Sequence, residues 1–296
     1  MPRRVLVVLV TVVAVVVGQA GCSGQWSSSS SSSPSSPQPQ AAPASPPTSA
    51  LAAVGRLLPG AVPPSGRAPV VTSDTAAIAG AGAGAVALTF DADLTPAMRQ
   101  RLHDGEIDSY ANMAVVDILE ETGTPATFFL TGLWMEEYPA ETRELVADSR
   151  FELATHSQTH RGFTEGCYGL GVVPPVQVAD EVRRPMRTLE GFTDRATRYF
   201  RFPGLCHDEA VLAALGPLGV TVVDGDSSGD AGGRSVDAIV DQTLRTVRPG
   251  SIVVLHLSGG DAAPLTDEAL PAILDGLHAR GLRPTTLSEL LAPAAR

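Results

Sequence analysis

Two carboxylates, Asp91 and Asp93, close the hexapeptide Leu88-Thr89-Phe90-Asp91-Ala92-Asp93, directly after an apolar run that begins at Ala85. Apolar residues leading into acid read as a buried strand that ends at an open rim. Side chains alternate along a strand, so acids two apart point to one side while the chain stays extended. Like charges so placed repel. A bound cation, or a proton shared in catalysis, would account for them; the competing explanation is a turn after the strand, where Asp is common. Further on, His156-Ser157-Gln158-Thr159-His160 spaces two imidazoles four apart. On a helical turn they would share a face, with Cβ atoms about 5–6 Å apart. Two imidazoles and a carboxylate suit zinc or a similar divalent ion, and three protein ligands leave a position open for water. Arg201 follows an aromatic pair and could hold a carboxylate in its charged form, with Asp224, Asp226 and Asp230 as candidate partners. His256 ends an apolar run before Ser258-Gly259-Gly260, and a place opposite the acid pair would suit it to proton transfer. His103, His207 and His278 have no comparable setting.

These groups need a scaffold that gathers them. Short apolar runs predict strands over 85–90, 126–131, 151–155, 199–202, 220–224 and 252–256, with a last one over 283–286. Amphipathic stretches predict helices over 110–122, 135–147, 176–190, 208–215, 236–247 and 266–280, then 287–291. Pro185 implies a kink or break in the third of these. Strand–helix alternation argues α/β architecture, a parallel sheet with outer helices, either open or closed into a barrel. In both arrangements chemistry belongs at the C-terminal ends of the strands. Five strand exits here carry charged or imidazole groups while the bodies of those strands carry only Glu152, and that convergence favours an enzyme.

The chain has 296 residues and 44% apolar content, enough for one large domain or two small ones. Its formal charge is −11 and it contains no Lys. An acidic, Lys-free chain is ill suited to nucleic acid, and Schiff-base or P-loop lysine chemistry is excluded. Arg3 and Arg4 precede an apolar run over 5–17, then Gly18-Gln19-Ala20-Gly21-Cys22. That is the layout of a signal peptide, 1–21. Ala-Gly-Cys resembles the end of a bacterial lipobox, with Gln19 a departure, so Cys22 is the expected lipidation site; a plain secretory signal is the alternative. Residues 22–84 are rich in Ser, Pro and Ala and read as a disordered linker, tethering a domain over 85–291. The expectation is an exported protein on the outer face of the cell membrane as a lipoprotein, or secreted.

Thr89-Phe90-Asp91, His156-Ser-x-x-His160, Arg201-x-Pro203, an Asp-rich loop and Leu255-His256, in that order, resemble the NodB-type polysaccharide deacetylases of carbohydrate esterase family four. Residues 126–132 (Ala-Thr-Phe-Phe-Leu-Thr-Gly) also resemble that family's second strand. The resemblance implies a distorted (β/α) barrel and metal-dependent removal of N-acetyl groups from an acetylated polysaccharide such as peptidoglycan, or of O-acetyl groups from xylan. It makes Asp91 the base and His156 and His160 metal ligands. Arg201 becomes the residue that tunes the base, Asp230 the nearest match to its carboxylate partner, and His256 the general acid. Pro203, Gly204 and Val254 fall in the substrate pocket. Three positions depart from the pattern. Ala92 stands where the metal-ligand Asp is usual, leaving Asp93 to reach the ion or to exchange roles with Asp91. Gly204 replaces a common Tyr, and Ala231 replaces a common Trp, suggesting a wider or differently lined pocket. A barrel that binds wall glycan without turnover is the alternative these departures raise. Cys167 and Cys206 follow the second and third motifs. If Cys22 is lipidated they remain as a pair in an oxidising compartment, so a disulfide bracing the site is expected.

Overall fold

The computed structural model describes residues 66–73, 84–231 and 235–292. The expected signal peptide, Cys22 and most of the linker lie outside the described residues.

Among the described residues nine strands form one sheet, and every strand pairing is parallel. In chain order they are β1 (Val70–Val71), β2 (Ala85–Ala92), β3 (Ala126–Leu130), β4 (Phe151–Thr155), β5 (Tyr199–Phe200), β6 (Thr221–Val223), β7 (Ser227–Ser228), β8 (Ile252–His256) and β9 (Arg283–Thr285). The spatial order is β1-β6-β5-β4-β3-β2-β8-β7, with β9 beside the start of β2. The helices are α1 (Pro96–His103), α2 (Ala114–Thr122), α3 (Gly132–Glu137), α4 (Pro139–Ala147), α5 (Val178–Glu190), α6 (Glu209–Leu215), α7 (Val236–Thr246), α8 (Thr266–Ala279) and α9 (Leu287–Leu290). This is a curled parallel sheet with outer helices, the distorted barrel expected from the sequence.

Strand β2 shows why the sheet aims its acids inward. Val86, Leu88, Phe90 and Ala92 alternate onto the helix side and join the main apolar core with Phe128, Leu119 and Leu270. Ala85 and Ala87 face the other way, into a smaller cluster with Phe129, Val223 and Leu287. Thr89 and Asp91 continue that inner row, so its polarity rises towards the C-terminal rim. Both faces of β2 and β3 are buried, as in a covered parallel sheet.

The structure corrects several expectations. β2 extends to Ala92, so Asp91 sits within the strand and not beyond its end. The helix expected over 135–147 is two helices, broken at Tyr138 (φ −118°, ψ 59°). Pro139 disfavours helical backbone at the residue before it and opens the next helix. Of the kink or break expected at Pro185, a break does not occur: α5 is one helix through it, carrying a buried stripe of Val178, Val182, Met186 and Leu189. α1 was not expected because none of its residues is buried; its signal is Thr95-Pro96, with the Thr95 hydroxyl accepting from Met98 N–H. Finally, 66–73 falls inside the expected linker yet belongs to the domain: Val70 and Val71 pair with Val222 and Val223, and Ala68 is buried.

Candidate active site

The β2–β8 register sets Asp91 opposite His256, and Leu257 N–H donates to the Asp91 carbonyl at 2.8 Å. Two hydroxyls fix the backbone beyond Asp91. Thr131 donates to the Ala92 carbonyl at 3.0 Å, and Asp93 N–H donates to Ser258 Oγ at 2.9 Å. Held this way, Asp91 and Asp93 face the same imidazole: His156 Nε2 lies 3.7 Å from Asp91 Oδ2 and 3.4 Å from Asp93 Oδ1.

His160 Nε2 also lies 3.3 Å from Asp93 Oδ1. One ligand atom from each of Asp93, His156 and His160 falls within 4.8 Å of the other two. His156 Nδ1 donates to the Arg201 carbonyl at 2.9 Å, which leaves Nε2 as the lone-pair nitrogen facing Asp93. Burial lowers the His160 pKa to about 4, keeping that imidazole in the neutral form a metal needs. Asp93 Oδ1 is buried, receives no hydrogen bond, and sits where both imidazole nitrogens converge. An orphaned carboxylate oxygen between two imidazoles is a site whose missing partner is a cation, so these residues fit a divalent ion.

The two histidines do not share a helical turn, as their spacing suggested. Ser157 (φ 67°) and His160 (φ 54°) are left-handed, and the segment is a loop that brings the rings to 4.9 Å. Glu181 of α5 supports it, accepting from Gln158 N–H at 3.1 Å, Thr159 N–H at 2.9 Å and the Thr159 hydroxyl at 3.0 Å. Sequence reasoning missed Glu181, which reads as an ordinary helix acid; its signal is a charge on the apolar stripe of α5.

Arg201 is fully buried. Its Nη1 donates to Asp91 Oδ1 at 2.6 Å and Thr89 Oγ1 at 2.9 Å, its Nε donates to the Val223 carbonyl at 3.1 Å, and the guanidinium carbon lies 4.0 Å from the Phe129 ring centroid. Its carboxylate partner is therefore Asp91, and none of the three acids named from the sequence. Asp230 instead accepts from His256, at 2.8 Å from Nδ1 and 2.7 Å from the backbone N–H, and from the Thr266 hydroxyl at 2.8 Å. Burial alone would depress the His256 imidazole, but the Asp230 charge and hydrogen bond outweigh it and push the pKa up to about 10. The other His256 nitrogen lies 3.8 Å from Asp93 Oδ2. Asp226 binds Ser251 and Ile252 N–H, and Asp224 pairs with His207 at 3.0 Å, giving His207 a rim partner that the sequence did not suggest.

Pro203 opens a tight turn over 203–205 and is buried. Gly204 in that turn is left-handed at φ 63°, which suits glycine. Val254 lies two residues before His256 on β8, buried against Gly225. Ala231 is exposed. The expected disulfide joins Cys167 to Cys206, with Cα atoms 6.0 Å apart. The structure thus brings Asp91, Asp93, His156, His160, Arg201, Asp230 and His256 to one rim.

A family model described as polysaccharide deacetylase matches residues 79–223. The chain is 31% identical over 212 residues to a chitooligosaccharide deacetylase of Sinorhizobium fredii, spanning 68% of this chain and 89% of that one. It is 25% identical over 209 residues to a peptidoglycan-N-acetylglucosamine deacetylase of Bacillus cereus, spanning 70% and 87%. Among solved structures, a family-four pseudoenzyme from Bacillus anthracis matches with a TM-score of 0.60 at 20% identity, over 78% of this chain and 70% of that one; at that identity the likeness is one of fold. With a relative above 30% identity aligned over most of its length, and the motif residues gathered at one rim, this chain belongs to the polysaccharide deacetylase family.

Proposed function

We propose that the protein removes N-acetyl groups from an N-acetylglucosamine-containing glycan, peptidoglycan or a chitin-like chain, using a divalent ion, zinc by its donor set. The observation that carries this reading is the pairing of an Arg-held carboxylate, Asp91, with an orphaned Asp93 oxygen between two imidazoles. An Arg-held Asp91 and an Asp230-paired His256 at the same rim, a base and an acid each with its positioning partner, favour turnover over glycan binding alone. Asp93, His156 and His160 would hold the ion, which supplies polarisation of the acetyl carbonyl and acidification of water. Asp91 accepts the proton of the attacking water, with Arg201 fixing its position and balancing its charge. Within the turn over 203–205 Pro203 has no N–H and Leu205 N–H is spent on the Phe202 carbonyl, so Gly204 N–H is the backbone donor left for the developing oxyanion. His256, kept protonated by Asp230, delivers a proton to the leaving amine. An N-terminal signal with lipidation at Cys22 would place the domain outside the cell membrane, where wall glycan is found.

Acetate release tests this directly, using the zinc-supplemented protein on a chitooligosaccharide, a peptidoglycan fragment and acetylated xylan. Acetate with new free amines is expected from the first two. Release from xylan alone would move the activity to O-esters, and no release from any would sink the deacetylase reading.

The same assay over pH tests the His256–Asp230 pair. An acid whose pKa is raised stays protonated as pH rises, so the alkaline limb of kcat should lie well above 7. Asp230→Asn removes the charge that raises it and should move that limb down by about 1–3 pH units. An unmoved limb would remove His256 from the role of acid. The pair's contribution to stability has the same sign: it is full below the imidazole's ordinary 6.5 and fades as pH rises towards 10.

A further inference from the structure

Position 204 carries no side chain, and the space beside it is filled from another loop. The segment after His160 leaves the metal-binding loop and returns on itself. Gly162 N–H donates to the Gly171 carbonyl and Val173 N–H to the Gly162 carbonyl, both at 2.9 Å, closing the loop at its base. Within it, Tyr168 N–H donates to Gly166 at 3.0 Å and Leu170 N–H to Cys167 at 2.9 Å. At the tip, buried Cys167 is bonded to Cys206, two residues past Gly204. A Cβ at position 204 would lie 2.7 Å from Cys167 Sγ and 2.9 Å from Tyr168 Cδ2. The Tyr168 ring therefore stands against the turn that follows Arg201.

This loop is pinned at both ends, yet Tyr168 is 83% exposed. Its φ is 47°, in the left-handed region that bulky residues rarely enter. Burial does not offset that strain, and strain kept at an exposed aromatic points to use. The exposed large apolar side chains among the described residues are Val70, Tyr168, Val172 and Val176; Tyr168 is the aromatic one, and only Val172 shares its loop.

We propose that Tyr168 is a glycan-contacting residue, its ring held beside the Gly204 turn by the Cys167–Cys206 disulfide so that it stacks on a sugar next to the one being deacetylated. The proposal rests on the deacetylase reading for the identity of the ligand. A tyrosine ring offers a flat apolar face, which matches the C–H face of a pyranose. The site beside the ring acts on a polymer, so sugars flanking the reacting one must lie against the rim.

Calorimetric binding of chitopentaose to the full chain, in an Asp91→Asn background so that no turnover intervenes, tests this. Tyr168→Ala should raise Kd about fivefold, and Tyr168→Phe should bind as the parent does. Equal Kd values for Ala and parent, or a Phe variant as weak as Ala, would overturn stacking, as would a parent that binds no oligomer. Equal Kd values with an altered sedimentation profile would give the face to a second copy of the chain instead. Tyr168-dependent binding by a parent enzyme that releases no acetate would leave this inference standing and count against the deacetylase reading alone.

Discussion

Asp91→Asn is expected to lower kcat by about 10²- to 10⁴-fold while the fold and the bound metal are retained. The amide can still accept from Arg201 through its oxygen, and Arg201 keeps Thr89 and the Val223 carbonyl as further acceptors. It cannot take a proton from water. The metal-binding set does not require this residue, since Asp93, His156 and His160 meet without it. Acetate release and metal content measured on the same preparation check both halves. Loss of metal together with activity would mean that Asp91 and Asp93 have exchanged roles. Activity retained near the parent level would remove Asp91 from the position of base.

Arg201→Met carries the largest expected cost in stability. Asp91 is 3% exposed, and its closest charged partner is the Arg201 guanidinium at 2.6 Å. Methionine fills much of the space above Phe129 but leaves a carboxylate without its partner. Breaking a buried pair from one side costs about 3–5 kcal/mol, far more than the pair itself contributes over a well-packed apolar substitute. Denaturant unfolding at neutral pH would measure it. The double variant Arg201→Met with Asp91→Asn should recover part of the loss, because no charge is then stranded. A single variant as stable as the parent would show that Asp91 is satisfied by other groups. Turnover should fall as well, because the base loses the group that positions it.

Much of this site could be read from residue order. The acids at 91 and 93, the histidines at 156 and 160, Arg201 and His256 are local signals, all but His160 written at or just past the end of a strand-like run. Alternation along β2 correctly put both acids on one side, and β4 and β8 match their expected spans. What local sequence could not supply was pairing across the chain. Asp230 lies nearer in sequence to Arg201 than Asp91 does, but the register of β7 with β8, which sets Ser228 beside Val254, and the Thr266 hydroxyl at the start of α8 give it to His256. Glu181 was hidden because its work is to bind backbone N–H groups 22 and 23 residues away. The helical reading of His156 to His160 failed because two left-handed residues and those capping bonds override spacing. The departure at Ala92 has a structural answer: its side chain joins the apolar core, while the hydroxyls of Thr131 and Ser258 hold the next peptide so that Asp93 returns to the inner face. The departure at Gly204 is met from the disulfide loop, a relation visible only once Cys167 and Cys206 are joined.

In the proposed reading Asp93, one residue beyond the usual place, completes the metal site with His156 and His160. Metal content per chain, measured after expression with zinc available and removal of loose ions, tests it most directly. One divalent ion is expected in the parent and in Asp91→Asn, and none in Asp93→Ala. A parent without metal, or an Asp93→Ala variant that keeps it, would contradict the claim.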